Sequence, residues 1–153
     1  MRFFVAGTAA PQGSKRGFSR AGSTSVQMVE SSKNVKPWRE DVRQGALAAM
    51  TEHDWTAPDA VRLGLTFWMP RPKSHPKTRR TIPSTRPDLD KLIRAVGDAL
   101  TSSGAVRDDS TIVKISASKA YIHPDNLRWD GEPQLPGVDI HIQTANDGEM
   151  PDV

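Results

Sequence analysis

The sequence predicts a single small α/β (α+β) domain, a mixed β-sheet with two main helices. Three observations carry this. Segment 60–69 sets Val61, Leu63, Leu65, Phe67 and Met69 at every second position, segments 37–50 and 88–100 repeat apolar residues at helical spacing, and β-prone runs stand at 2–6, 111–122 and 138–143. Strands separated by two helices bury their apolar faces in a layered arrangement of sheet and helices. A chain of 153 residues has room for one modest core. The domain is expected over 1–145, followed by a polar, acidic tail at 146–153 that is expected to be disordered.

Residues 2–6 (RFFVA) read as an opening strand, ended by a Gly/Pro/Ser-rich stretch at 7–23. The run 24–29 (TSVQMV) is β-prone and is expected to pair with that first strand across the loop. Pro37 suits the first turn of a helix over 37–50, because its missing N–H has no intrahelical partner there. Trp38, Val42, Ala46 and Ala49/Met50 give that helix its apolar stripe. In the strand at 60–69, Val61, Leu63, Leu65, Phe67 and Met69 share one face. Trp68 points the other way, either to packing or to stacking on a partner.

Five prolines keep residues 70–87 out of helix and central strand. The next helix starts at Asp88, a good N-cap residue, and runs to about Leu100. Leu89, Leu92, Ile93, Val96, Ala99 and Leu100 form its buried arc, and Asp90, Arg94 and Asp98 follow one another along the opposite arc. Gly104 ends the helical region, Asp108 and Asp109 lead into a strand at 111–122, and VDIHIQ at 138–143 is the last strand.

The net charge of +3 is ordinary until it is located. Residues 71–94 carry eight Lys/Arg (Arg71, Lys73, Lys77, Arg79, Arg80, Arg86, Lys91, Arg94) against Asp88 and Asp90, a local +6 that leaves −3 for the rest. Such a patch attracts a phosphate backbone and makes binding salt-dependent. Lys15 and Arg16 add a second basic pair near the N-terminus.

Directly behind the basic loop comes a run of acids, Asp88-x-Asp90 and then Asp108-Asp109. Crowded carboxylates beside a polyanion-binding surface are costly unless a hard divalent cation lies between them and the phosphate. If the strand after Asp109 starts beside the helix N-terminus, three carboxylates surround a gap for one Mg²⁺, or for two about 4 Å apart. Arg94, one turn beyond Asp90, is placed to stabilise charge on a phosphate. Each residue also has a plainer reading. Asp88 is an N-cap, Asp90 and Arg94 form a surface i,i+4 pair, Asp108-Asp109 is a turn, and Asp98 pairs with Arg94.

Other chemistries fit worse. Without cysteine there is no disulfide, zinc-thiolate site or thiol nucleophile. His53, His75, His123 and His141 are scattered without metal-ligand spacing, no Lys follows Asp108 or Asp109 at the distance a PD…(D/E)-x-K nuclease requires, and no Gly-rich phosphate loop or GxSxG is present. No apolar run has membrane-spanning or signal-peptide length, so a cytoplasmic protein is expected.

The run RPDLDKLIRAVGDALTSSGAVRDDSTIVKISASKAY resembles the RusA family of Holliday junction resolvases. The resemblance rests on Asp88-Leu89-Asp90-Lys91 at the helix start, Asp98-Ala99-Leu100 at its end, Asp108-Asp109 before the next strand and Lys119 near that strand's end. Its core covers about 86–121. The flanks agree more loosely, through Val5-Ala6-Gly7, Pro11-Gln12, Lys15-Arg16, the helix opened by Trp38, and the late Pro136-Gly137-Val138-Asp139-Ile140 strand.

The resemblance implies a RusA-like fold and a homodimer that cuts opposed strands of a four-way junction. It implies Mg²⁺, with Mn²⁺ as a substitute, and neither an organic cofactor nor a membrane partner. Asp88, Asp90 and Asp109 carry over as metal ligands, with Asp108 beside them, and DNA contacts are expected from Lys15, Arg16, Arg71, Lys73, Lys77, Arg79, Arg80, Arg86, Lys91 and Lys119. Two positions depart from the family. Lys91 stands where it has Asn, and Arg94 where it has a catalytic Lys. Arg keeps the charge but does not release a proton, so it serves electrostatics and not proton donation. Two alternatives stay open: a metal nuclease for other branched or flapped DNA, and a catalytically silent DNA-binding protein of the same fold.

Overall fold

The alternation in 60–69 becomes β4 (Val61–Met69), in which buried and half-buried residues alternate along the whole strand. β4 is an inner strand. β6 (Gly137–Thr144) pairs antiparallel along one edge and β5 (Ile112–Tyr121) parallel along the other. β1 (Arg2–Ala6) pairs antiparallel with β6, which completes a four-stranded sheet in the order β1-β6-β4-β5. The architecture is a small α+β fold with a mixed sheet, as predicted. The computed structural model describes residues 1–13, 16–19, 21–22, 26–29, 33–76 and 78–148, with backbone alone for 16–19 and 26–29. The tail expected from 146 onward lies outside the described residues beyond 148.

The 24–29 run does not join the first strand. β3 (Val26–Val29) pairs with β2 (Arg16–Ser19) in a separate two-stranded sheet, and Thr24 and Ser25 lie outside the described residues. Burial decides the partner of β1. Phe3 lies opposite Ile140 and Val5 opposite Val138, so four apolar side chains share the face covered by helices.

That cover is made by α1 (Val35–Glu52) and α2 (Leu89–Ser103), which pack on each other. α1 extends two residues beyond its predicted range at each end, and Trp38, Val42, Ala46 and Ala49 face the core. Gly45 lets α1 approach β1, because a Cβ there would meet the Val5 side chain at 2.7 Å. α2 buries Leu92, Ala95, Val96, Ala99 and Leu100. Truncating a fully buried Leu92 to Ala would cost about 2–5 kcal/mol. Gly104 stops α2 with φ 81°, the left-handed conformation that ends helices and that glycine adopts without strain.

The opposite face of the sheet is covered in part by the 123–136 loop. Asp139, buried on β6, accepts the indole N–H of Trp68 at 2.9 Å and that of Trp129 at 2.6 Å. Trp68 is thus a packing residue that helps fasten this loop.

β5 departs from simple alternation. Ile112 pairs with Val61 and Lys114 with Arg62, which leaves Val113 as an extra residue. As β5 is an edge strand, Val113 is 62% exposed and Ile115 46% exposed.

Candidate active site

β4, α2 and β5 form a parallel strand–helix–strand crossover. A helix that links parallel neighbours runs back against them, so α2 begins near the C-terminal ends of β4 and β5. Lys119 marks that end. Its Nζ donates to the carbonyls of Thr85 at 2.8 Å and Pro87 at 2.9 Å, tying the end of the proline-rich loop to β5 just before Asp88. Lys119, expected on DNA, therefore has its ammonium on the backbone that delivers the first carboxylate.

Asp88 occupies the N-cap position of α2, yet its side chain makes no capping hydrogen bond. Its carboxylate lies 3.3 Å from the Lys91 ammonium. Asp88 and Asp90 are both exposed, Asp90 in the first turn, where the helix dipole stabilises negative charge. These two carboxylates are not absorbed into capping or the core. Arg94 is exposed one turn further on.

Asp98 does not pair with Arg94. It faces α1, where Gln12 Nε2 donates to its carboxylate at 2.7 Å and Arg39 stands 3.7 Å away. Arg39 also donates to Gln12 Oε1 at 3.2 Å, and the Gln12 N–H donates to the Lys91 carbonyl at 3.1 Å. An Asp half-buried between two helices gains more from these partners than from a solvated pair along its own helix. Among the described residues, Arg94 forms no ion pair. Gln12 and Arg39 hold the 8–13 turn against α2. The sequence signalled Gln12 only through the loosely matched Pro11-Gln12, and nothing in it pointed to Arg39.

Asp109 stands at the other end of α2. Thr101 Oγ1 donates to Asp109 Oδ1 at 2.9 Å, and Thr101 lies eleven residues after Asp90, about 16 Å along the helix axis. The expectation of three carboxylates around one gap within a single chain is therefore corrected. β5 starts beside the C-terminus of α2, because it runs parallel to β4. Among the described residues, no three acidic or histidine side chains gather as a cation site. Asp108 caps the turn Asp109–Thr111, accepting the Ser110 N–H at 2.9 Å and the Ser110 hydroxyl at 2.6 Å. These hydrogen bonds, the hydroxyl's first, hold the Asp108 carboxyl below its ordinary pKa.

The basic loop lies on the same side as the start of α2. Lys73, Arg79, Arg80 and Arg86 are exposed, and Arg71 Nη2 donates to the Arg79 carbonyl at 3.4 Å. Arg71, Arg79 and Arg80 border a cavity of about 200 Å³ with Trp68, Tyr121 and His123. A second cavity, of about 550 Å³, opens directly beside Asp88 and Lys91 and is walled by Ala9, Pro11 and Met69. Lys15, Lys77 and the side chain of Arg16 lie outside the described residues.

Exposed carboxylates at a helix start, an arginine one turn on and a basic loop beside them form a surface that can meet a phosphodiester. Hard oxygen donors of this kind suit Mg²⁺ in place of softer metals. Residues 8–142 match the family model described as endodeoxyribonuclease RusA. The chain is also similar to the uncharacterized protein YqaN of Bacillus subtilis (strain 168), with 26% identity over 130 residues that cover 79% of this chain and 87% of that protein. The match spans both helices, the basic loop and all four acids at issue, and on it the chain belongs to the RusA endodeoxyribonuclease family.

Proposed function

We propose that the protein is a homodimeric, Mg²⁺-dependent endodeoxyribonuclease of the cytoplasm. It resolves four-way DNA junctions in recombination and repair by paired cuts in opposed strands. The observation that carries this reading is the pair Asp88 and Asp90, exposed at the start of α2 beside a basic loop and left out of both capping and the core.

Asp88 and Asp90 hold the cation, with Mn²⁺ able to replace Mg²⁺. Asp109 supplies a third carboxylate, and since it lies at the far end of its own α2, it serves the site of the second subunit. When bound, the metal provides Lewis acidity and a nucleophile at neutral pH. Arg94 donates charged hydrogen bonds to the non-bridging phosphate oxygens, whose negative charge grows in the transition state. It holds no proton for the leaving oxygen. Arg71, Lys73, Arg79, Arg80 and Arg86 bind flanking phosphates and set the register of the DNA. Lys119 positions Asp88 through Pro87. Two-fold symmetry in the protein matches the near two-fold symmetry of a junction and gives one site for each strand to be cut.

The test uses a synthetic four-way junction, a flap and a linear duplex, each with Mg²⁺ or EDTA. Paired nicks in the junction with Mg²⁺, abolished by EDTA, are expected. Preferential cutting of the flap would replace the substrate. Binding without any cutting would leave a silent DNA-binding protein.

A further inference from the structure

The cavity of about 200 Å³ behind the basic loop lies at the end of the sheet where α2 begins. Trp68 and Ala120, paired across β4 and β5, reach it from the sheet face opposite the helices. Tyr121, His123, Asn126 and Gln134 supply its other walls, and Arg71, Arg79 and Arg80 border it. Among the described residues no carboxylate lines it. Three cations around a cavity without a carboxylate favour a ligand that comes attached to phosphate.

The walls are held by contacts that do not occupy the cavity. Trp68 gives its indole N–H to Asp139 at 2.9 Å, so only ring surface is left for a ligand. Tyr121 meets the His75 ring edge to face at 5.2 Å, and His75 Nδ1 lies 2.9 Å from the Thr81 hydroxyl. Gln134 Oε1 accepts the His123 N–H at 2.9 Å, which fixes that side chain and leaves its Nε2 unspent. Among the described residues the Asn126 amide and the Tyr121 hydroxyl likewise have no hydrogen-bond partner, and all three residues are half-buried. A few polar groups converging on a concave site with aromatic walls fix the orientation of a ligand. The volume is below the roughly 300 Å³ at which sites for drug-sized ligands begin, so the cavity takes one ring system and excludes a base pair.

We propose that the cavity is a pocket for a single unpaired nucleobase of the DNA. The inference rests on the nuclease reading above and adds to it a contact with a base. Arg79 and Arg80 hold the phosphates on either side of the nucleotide, and its ring packs against the Trp68 indole. The edge released from pairing meets the Asn126 amide, the Tyr121 hydroxyl and Gln134 Nε2. Unpaired bases are recognised by such a combination of aromatic surface and hydrogen bonds to the pairing edge. Tyr121 stands two residues after Lys119, whose Nζ holds Pro87 beside Asp88, so pocket and carboxylates share one end of the sheet. The base received is therefore near the cut and not at it. The crossover of a junction supplies such a base at least cost, because pairs there are the least supported by neighbours.

The test compares junctions that carry one unpaired nucleotide, walked outward from the crossover, with the same junctions made abasic at that nucleotide. Binding is measured in EDTA, so that nothing is cut, at low and moderate salt. At one position the base-bearing junction should bind at least about fivefold more tightly than its abasic counterpart, the low end for one base stacked on an aromatic side chain. That ratio should hold as salt rises, because the base is uncharged, while both affinities fall. Ala120→Leu, which places a side chain in the cavity, and Asn126→Ala, which removes an amide the fold does not use, should each bring the ratio toward one with near-normal melting. Equal affinities at every position, or a ratio that neither variant lowers, overturn the pocket and leave the nuclease standing. A wild-type protein that cuts no junction with Mg²⁺ overturns the nuclease reading on which the pocket rests.

Discussion

Asp88 and Asp109 stand at opposite ends of α2, the first at its N-cap and the second hydrogen-bonded to Thr101 in its last turns. Two groups so placed serve one cation only when two chains meet. In mixed dimers of Asp88→Asn with Asp109→Asn, one of the two sites then collects both lesions and the other collects none. Each variant alone should be inactive with Mg²⁺ while still binding a junction, and the mixture should regain nicking of a single strand. If all groups acted within one chain, every site would carry a lesion and mixing would restore nothing.

Arg94 is exposed and forms no ion pair among the described residues, so its removal should leave thermal stability unchanged. Arg94→Ala should lower the single-turnover cleavage rate at saturating DNA by at least about tenfold, roughly 1.4 kcal/mol of transition-state stabilisation. Arg94→Lys should recover much of the loss. A near-normal rate for the Ala variant would remove Arg94 from the chemistry.

Lys119 should act on the site through the backbone. Lys119→Met leaves the carbonyls of Thr85 and Pro87 without their donor and should destabilise the fold by about 1–2 kcal/mol. Cleavage should fall because Asp88 is less well held, while the salt dependence of junction binding should hardly change. A flatter salt slope with unchanged melting would make Lys119 a phosphate ligand instead.

The exposed Arg79 and Arg80 should act on affinity alone. Replacing both with Ala should weaken junction binding and reduce the slope of log K against log salt by about 1 for each phosphate no longer neutralised. Binding measured from low to moderate salt, with circular dichroism as the folding control, checks this.

Asp108 gives a prediction in pH. Its carboxyl is held below the ordinary pKa by the Ser110 hydroxyl and N–H, so its contribution is present above the unfolded-state pKa and lost as pH falls through the folded-state pKa. Ser110→Ala should raise the Asp108 pKa toward the ordinary carboxylate value, as read by NMR titration of its side chain. The variant should then gain less stability than the wild type as pH rises through the carboxylate range. An unchanged Asp108 titration would show that Ser110 does not hold it.

The sequence by itself determined the local elements. Alternation marked β4, the Trp38–Val42–Ala46 stripe marked α1, and Asp88 and Gly104 bracketed α2, because periodicity and capping depend on residues within a pleat or a turn of one another. The Asp88-x-Asp90 pair beside the basic loop was legible for the same reason. Only tertiary structure decided the pairings. β1 took β6 in place of β3 because Phe3 and Val5 bury against Ile140 and Val138, and Asp98 took Gln12 and Arg39 because it faces α1. The parallel pairing of β4 with β5 sent Asp109 to the far end of α2. These choices join residues distant in sequence through shared burial and strand direction, and no local pattern of residues encodes either.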